Sequence, residues 1–406
     1  MQKLRPHILF FLLTLMLAGL FFSRALLAVS MIVFVVASLL HKNYKLQFRE
    51  FLKQPLCWGT SLLFLLPFIS GLWSDDKSQW IAMMQVKLPL LLFPLAFAWP
   101  LGFSERYWRW LLTLLIMFLL GGIFYSLINY SFLRSFYDLG YLRGNSILTP
   151  LDNDHVRFSL MVFMGIVFCG LQYHKDKEFR YAWLWIFIMI LFIIYLHILA
   201  SRTGLLAFYF SAAGWVIYLL LKLKRRMAIT MVSFLILIPL AAWFLLPSFQ
   251  NKIRLFKFES DYFIHGSYTP FSNDIVRIIS IRAGWSLLKA HPIQGTGYGD
   301  IIKDSREWYS LNYSEMIEED KIYPSSQFLV FGAGTGFGGL IIFCLVLFLP
   351  FFIAMANPVP WRMILSGLAI SYLFDIGLEV QFGVFIHCFF LFLSWQWMKR
   401  QNIASL

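Results

Sequence analysis

Arg134, Arg143, Arg157, Arg202, Arg254, Arg277 and Arg282 stand in or beside polar segments that separate long apolar runs. A guanidinium is planar, permanently charged and offers several donors at once, which suits it to phosphate. Arg202 is the sharpest of the set. It lies in the short turn Ala200-Ser201-Arg202-Thr203 between two apolar runs. There it either snorkels to headgroups or faces the bundle interior and binds a phosphate. Lys87 sits inside an apolar run, in Gln85-Val86-Lys87-Leu88-Pro89. A charge at that depth is expensive and by default faces a cavity or a partner, the alternative being a stem that snorkels outward. Asp375 and Glu379 flank a late polar turn, and either could pair with one of these cations. The chemistry these residues suggest is recognition of an anionic amphiphile, a lipid pyrophosphate or an anionic glycolipid. Arg202 is the candidate to bind phosphate, and Lys87, Arg157, Arg282 and Glu379 are candidates to bind substrate.

Such residues need a scaffold, and the composition names it. The chain has 406 residues, 60% of them hydrophobic, 19% aromatic and only 14% charged. Its mean hydropathy is +0.71. A soluble domain carries about 25% charged residues, so this chain lacks the polar surface to be one. Disorder, collagen and a disulfide scaffold are excluded on the same grounds. The apolar residues come in blocks of about twenty, the length that crosses a bilayer as helix. The expected fold class is all-α: a polytopic membrane helix bundle of about twelve transmembrane helices, with one large periplasmic loop containing short helices.

The apolar runs lie at residues 7–22, 25–40, 56–73, 80–99, 110–130, 156–172, 182–199, 203–221, 228–247, 326–354, 361–375 and 380–397. The basic start, Met1 to His7, resembles a signal peptide, but no clear small-residue cleavage site follows, so a retained first helix is expected. Alternate short loops are basic: Lys42, Lys45, Arg49 and Lys53; Arg106 and Arg109; Lys175, Lys177 and Arg180; Lys222, Lys224, Arg225 and Arg226; Lys399 and Arg400. The positive-inside rule then puts both termini in the cytoplasm and the seven arginines on the translocated side. Much of the net charge of +13 is this topological bias and says nothing about function. The chain divides into residues 1–247 with nine spans, a loop over 248–325, and 326–406 with three spans. The loop is about 78 residues, too long for a plain connector. Within it Ile275, Ile278, Ile279, Ile281 or Arg282, Trp285 and Leu288 recur at helical spacing. This predicts an amphipathic helix over 273–290, ended by His291-Pro292, that lies on the membrane surface or covers a cavity.

Other features point to structure more than to chemistry. Cys57, Cys169, Cys344 and Cys388 fall in or at the edge of apolar blocks, with no C-x-x-C pair, so neither a metal site nor a disulfide is expected. Gly295, Gly297 and Gly299 follow a helix and a proline, which is the wrong context for a dinucleotide fingerprint. Gly332, Gly334, Gly336, Gly338 and Gly339 open the tenth run and permit close packing or a kink. His155, His265 and His291 are the histidines expected on the translocated side, none within a ligand motif. Nucleic acid is not an expected partner, because no soluble domain offers a basic groove.

Four segments together resemble the O-antigen ligase and polymerase superfamily, over roughly residues 190–390. Leu199-Ala200-Ser201-Arg202-Thr203-Gly204-Leu205-Leu206 is similar to the family's S-R-[ST]-[GA]-x-L element. Asn273-Asp274-Ile275-Val276-Arg277, then Trp285, then His291-Pro292-Ile293-Gln294-Gly295-Thr296-Gly297-Tyr298-Gly299 resembles its R…W…H-P-x-x-G-x-G-x-G. Pro324-Ser325-Ser326-Gln327-Phe328-Leu329, followed by Gly336-Phe337-Gly338-Gly339-Leu340, looks like P-H-N-x-[FY]-L with G-x-x-G-L. Leu378-Glu379-Val380-Gln381-Phe382-Gly383 is similar to a late L-E-x-Q-x-G of some members. The resemblance implies a metal-independent, inverting glycosyltransferase of the bacterial inner membrane, acting at the periplasmic face without a cofactor. Its donor would be a glycan on undecaprenyl pyrophosphate, its acceptor lipid A–core for a ligase or a growing glycan for a polymerase. Membrane lipids would surround it. By the same resemblance Arg202 and Arg277 would contact the pyrophosphate.

The sequence departs from the family at one place. Ligases carry His where Ser325 stands, and Asn where Ser326 stands. A serine hydroxyl is no base near neutral pH, so a proton acceptor must lie elsewhere. The candidates are His265, Glu315, Glu318, Glu319 and Glu379. The ligase reading leads, a polymerase is the alternative, and a non-enzymatic lipid or solute transporter is the further alternative. Transporters show internal repeats and broken helices, and the sequence displays neither.

Overall fold

The computed structural model describes residues 4–176, 181–264, 268, 270–353 and 358–404, and helix is the only regular structure among them. The first half comprises α1 (Arg5–Phe22), α2 (Arg24–Leu39), α3 (Tyr44–Lys53), α4 (Pro55–Ser70), α5 (Lys77–Phe97), α6 (Glu105–Phe132), α7 (Arg134–Leu142), α8 (His155–Lys175) and α9 (Trp183–Leu199). The second comprises α10 (Arg202–Leu221), α11 (Arg225–Leu245), α12 (Pro247–Ile264), α13 (Asn273–Ala290), α14 (Ile301–Asn312), α15 (Gln327–Phe348), α16 (Pro358–Phe374) and α17 (Gln381–Ala404).

Each apolar run of the sequence falls on one helix. Among the described residues α1, α5, α6, α8, α10, α11 and α15 are individually long and apolar enough to cross a membrane. The pair α2 and α3, bent by 105°, makes an eighth candidate, and α4, α9 and most of α16 are shorter apolar helices. This is the architecture of a multi-pass membrane protein, with α8 at its centre. The most apolar window of α8 is 83% buried, against 11% for α11 at the periphery. Small residues let neighbours reach α8 closely. A Cβ on Gly204 of α10 would fall 2.6 Å from the Ser159 side chain, and one on Gly367 of α16 would fall 2.2 Å from the Phe163 ring. At one end of the bundle Lys175 pairs with Glu105 at 2.6 Å, and Arg400 reaches the same carboxylate at 3.3 Å. The opposite end carries α7, α12, α13 and α14, and all the phosphate-recognition candidates cluster there.

The segment read as one long loop is thus largely helical. The helix expected over 273–290 is α13. Its buried stripe is Ile275, Val276, Ile279, Ala283, Leu287 and Leu288, while Ile278 and Trp285 stay exposed, a correction to the expected apolar face. The reason is that α13 packs on α15, where Gly332 leaves room for Leu288. The two glycine-rich segments explain each other. The N–H of Thr296 donates to Ala333 O at 2.7 Å, that of Gly297 to Gly334 O at 3.2 Å, and that of Phe337 to Pro292 O at 2.9 Å. These bonds hold the loop after α13 against a break in α15, where Gly336 adopts φ 71° and ψ −172°. A Cβ on Gly295 would lie 2.4 Å from the Gly334 carbonyl carbon, so only glycine fits.

Candidate functional site

The outer end of the central helix sets the site. Asp154 caps α8, its carboxylate accepting the Arg157 N–H at 3.0 Å. The cap fixes the first turn, so His155 and Arg157 project from the most deeply buried of the candidate spans. Arg157 is paired with Asp375 at 3.0 Å and Asp154 at 3.5 Å. Next to it α9 ends at Ala200, in the left-handed conformation at φ 49°, and the chain reverses into α10. Ser201 is tied by the Ser159 hydroxyl at 2.9 Å. Because no side chain caps α10, its first N–H groups stay open at the site. A helix N-terminus of that kind favours an anion.

Four cations converge on this end. Arg157, Arg202, Lys252 and Arg277 feel one another's charge, and His155 lies among Arg157, Lys252 and Arg277. Four carboxylates accompany them, so the question is which cations remain free to act. Arg202 is bonded to Asp274, which carries it across to α13. Arg157 is held by Asp154 and Asp375. Arg277 has only the Phe374 carbonyl, at 3.3 Å, and Lys252 only the Gly144 carbonyl, at 3.1 Å, as hydrogen-bond partners among the described residues. Burial lowers the Arg277 guanidinium from its usual range. Burial, then Arg202, pushes the Lys252 ammonium down to about 8, with Glu259 opposing. Glu259 is raised by burial and accepts the Asp274 N–H at 3.1 Å. Arg277 and Lys252 are therefore the two of these four cations that no carboxylate hydrogen-bonds or ion-pairs among the described residues.

The other sequence candidates fall into two groups. Lys87 and Glu379 find each other, at 2.5 Å, with side chains 0% and 4% exposed. Glu379 also accepts from Gln327 at 2.7 Å, and Gln327 returns its carbonyl to the Leu378 N–H at 2.8 Å. The pair clamps the turn after α16 rather than facing the four cations. Arg282 is exposed and bonds the Tyr313 hydroxyl at 3.2 Å. Ser325 is buried against Ser280, Oγ to Oγ 3.0 Å, one turn along α13 from Arg277. Glu318 is paired with Lys321 at 2.6 Å, Glu315 and Glu319 are exposed, and His265 lies outside the described residues.

An apolar chamber of about 960 Å³ opens between α9, α10 and α11, walled by Ile193, Phe208, Phe234, Ile238 and Leu245. His197 lies at its outer end, bonded to Tyr209 at 2.6 Å and beside the Phe249 ring of α12. Lys252 follows one helical turn after Phe249. The chamber's lining extends from Arg226 at one end of α11 to Leu246, just before α12, at the other.

A family model described as O-Antigen ligase matches residues 187–344. The match supports the O-antigen ligase superfamily. No curated protein matches the chain. The matched stretch runs from α9 into α15, so the O-antigen ligase region itself supplies Arg202, Lys252, Asp274, Arg277 and Ser325. His155, Arg157, Lys87 and Asp375 come from outside it and reach the ligase region only through the fold.

Sequence reasoning missed Lys252 and Glu259 because, within the loop over 248–325, it located a helix only over 273–290. Their spacing of two helical turns, on a segment with no proline after Pro247, was the available signal. Asp274 stood in the quoted motif, but its partner Arg202 lies 72 residues away in sequence and only the tertiary structure joins them.

Proposed function

We propose that this chain transfers a glycan from undecaprenyl pyrophosphate to a sugar of lipid A–core at the periplasmic face of the inner membrane, as an O-antigen ligase. The observation that carries the reading is the pair Arg277 and Lys252, two half-buried cations without a bonded carboxylate among the described residues, together with an apolar chamber whose lining reaches Leu246, just before the helix that bears Lys252. An amphiphile with an anionic head and a long apolar tail fits both features. The open N-terminus of α10 adds donors for phosphate oxygens. The basic end of the bundle, with Lys175, Arg109 and Arg400, would face the cytoplasm.

The chemistry follows from the leaving group. Breaking the bond from C1 to the phosphate oxygen leaves extra negative charge on the pyrophosphate. Cations fixed in a partly dry site stabilise that charge more in the transition state than in the ground state. An acceptor hydroxyl attacking C1 from the opposite face inverts the anomeric centre. By the family resemblance no metal or nucleotide takes part. Ser325, in place of the ligase histidine, favours a second reading, a polymerase that extends lipid-linked repeat units.

A lipopolysaccharide gel from a deletion strain, with lipid-linked glycan extracted in parallel, tests the proposal. Bare core with accumulated long lipid-linked polymer is the result expected of a ligase. Core bearing single repeats would assign a polymerase. An unchanged ladder would remove both and leave transport.

Two variants sharpen the reading. The Lys252 ammonium carries charge below about pH 8. The kcat/KM for transfer should therefore fall as pH rises through about 8, and Lys252→Arg should move that fall upward by more than about one unit. Stability runs the other way. Between the folded value of about 8 and the ordinary value of 10.5 the unfolded chain holds a proton that the folded chain does not, so this group makes stability rise with pH. An alkaline limb that stays in place in the arginine variant would remove Lys252 from substrate recognition. Ser325→Ala loses one neutral hydrogen bond to Ser280, about 1 kcal/mol of stability, and should leave transfer within about fivefold of wild type. A hundredfold loss, about 2.7 kcal/mol, would assign the hydroxyl a role in the reaction.

A further inference from the structure

An acceptor hydroxyl that attacks C1 must give up its proton, and the group taking it must be uncharged or anionic and unengaged beside the phosphate. The carboxylates around the four cations do not meet that condition. Asp154 and Asp375 hold Arg157, and Asp274 holds Arg202. Glu259 is buried and accepts a backbone N–H. Glu379 is locked to Lys87 and Gln327, and Glu318 to Lys321. Glu315 and Glu319 flank Met316 and Glu318 on the loop that packs against Ile275 and Ile279, a different face of α13 from the one bearing Arg277 and Ser280.

We propose that His155 is the general base, resting on the glycosyltransfer reading above. It is the first residue of α8, half-buried, and its ring makes no hydrogen bond among the described residues. Arg157, Lys252 and Arg277 surround it with positive charge, and Asp154 is the one carboxylate that acts on it. An unengaged imidazole at the head of the central helix is placed to accept a proton from a hydroxyl attacking beside the phosphate. A chain of contacts also ties the turn that bears His155 to the segment that bears Ser325: Arg157, two residues on, pairs with Asp375, whose backbone oxygen accepts the Gln327 N–H at 3.1 Å, and Gln327 is two residues past Ser325.

The step balances. The acceptor oxygen forms its bond to C1, the bond from C1 to the phosphate oxygen breaks, and its electron pair leaves with the lipid pyrophosphate. The hydroxyl proton passes to a ring nitrogen of His155. The imidazolium so formed stands beside the newly charged pyrophosphate, which offsets the repulsion from Arg157 and Arg277.

The test uses the full-length protein in detergent or nanodiscs, with lipid-linked glycan extracted from the deletion strain as donor and lipid A–core as acceptor, or repeat-unit donor alone for polymerisation. His155→Gln keeps hydrogen bonding but cannot take the proton. It should lower kcat by a factor of 10² or more while binding of undecaprenyl pyrophosphate changes less than about threefold. His155→Ala should recover part of its rate with added imidazole. Wild-type transfer that survives the glutamine substitution within about threefold overturns the role of His155 and leaves the glycosyltransfer reading standing. A loss of pyrophosphate binding that matches the loss of rate overturns it too, since His155 would then be a binding residue. No transfer by the wild-type protein with either substrate set sinks the glycosyltransfer reading and His155's role with it.

Discussion

Arg277→Ala should abolish transfer, by a factor of about 10² to 10³, while the protein remains folded in the membrane. The size follows from where Arg277 stands. It is half-buried, so water screens it poorly, and the Phe374 carbonyl is its one hydrogen-bond partner among the described residues. Under the proposed function its remaining donors are available to a phosphate oxygen, since no carboxylate is hydrogen-bonded to it among the described residues. Removing it leaves charge on the leaving pyrophosphate uncompensated at the moment that charge grows, so kcat should fall more than donor binding. Arg277→Lys keeps the charge but not the planar fork, and an intermediate rate is expected. Transfer assays beside a membrane-fraction blot decide the matter. A rate close to wild type in the alanine variant, with normal expression, would sink the pyrophosphate role.

Lys87→Met should destabilise the fold by about 3–5 kcal/mol, the typical cost of leaving one member of a buried ion pair alone. The pair is almost fully enclosed, and Glu379 already has one carboxylate oxygen without a hydrogen bond. Losing Lys87, whose ammonium also lies over the rings of Tyr298 and Phe331, leaves that buried carboxylate without a cation. Glu379→Gln should cost a similar amount by stranding the ammonium. The double variant should recover much of the loss, because no charge is then left unpaired. Thermal unfolding in detergent reads the three values. Single variants as stable as wild type would show that the pair contributes nothing, and equal losses that simply add would show that the two residues do not act as a pair. Activity should fall with the single variants as well. Glu379 fixes Gln327, Gln327 fixes Asp375, and Asp375 orients Arg157 at the site.

The clamp and the site mark where sequence reading succeeded and where it stopped. Lys87 announced itself as a charge in an apolar run, and Glu379 as a carboxylate at a polar turn, but 291 residues separate Lys87 from the Leu378 carbonyl it also bonds. Nothing local says whether such a lysine meets substrate or a carboxylate. The glycines behaved in the same way. Gly295 and Gly336 were visible as motif positions, yet their purpose is a close backbone approach between a loop and a broken helix, which neither segment encodes alone.

By itself the sequence determined the all-helical membrane class, because a chain with 14% charge and apolar runs of bilayer length has no soluble alternative. It also determined the helix over 273–290, since apolar periodicity and His291-Pro292 are local signals. Its motifs pointed to Arg202 and Arg277. Only the tertiary structure decided which cations are free. Arg202 is engaged by Asp274 and Arg157 by Asp375, while Arg277 and Lys252 have only backbone carbonyls as hydrogen-bond partners among the described residues. It alone brought His155 beside them, from a helix that no motif had marked. The physical reason is that electrostatic partnership depends on distance in space, falling off within several ångströms, whereas sequence patterns report only neighbours along one helix or turn.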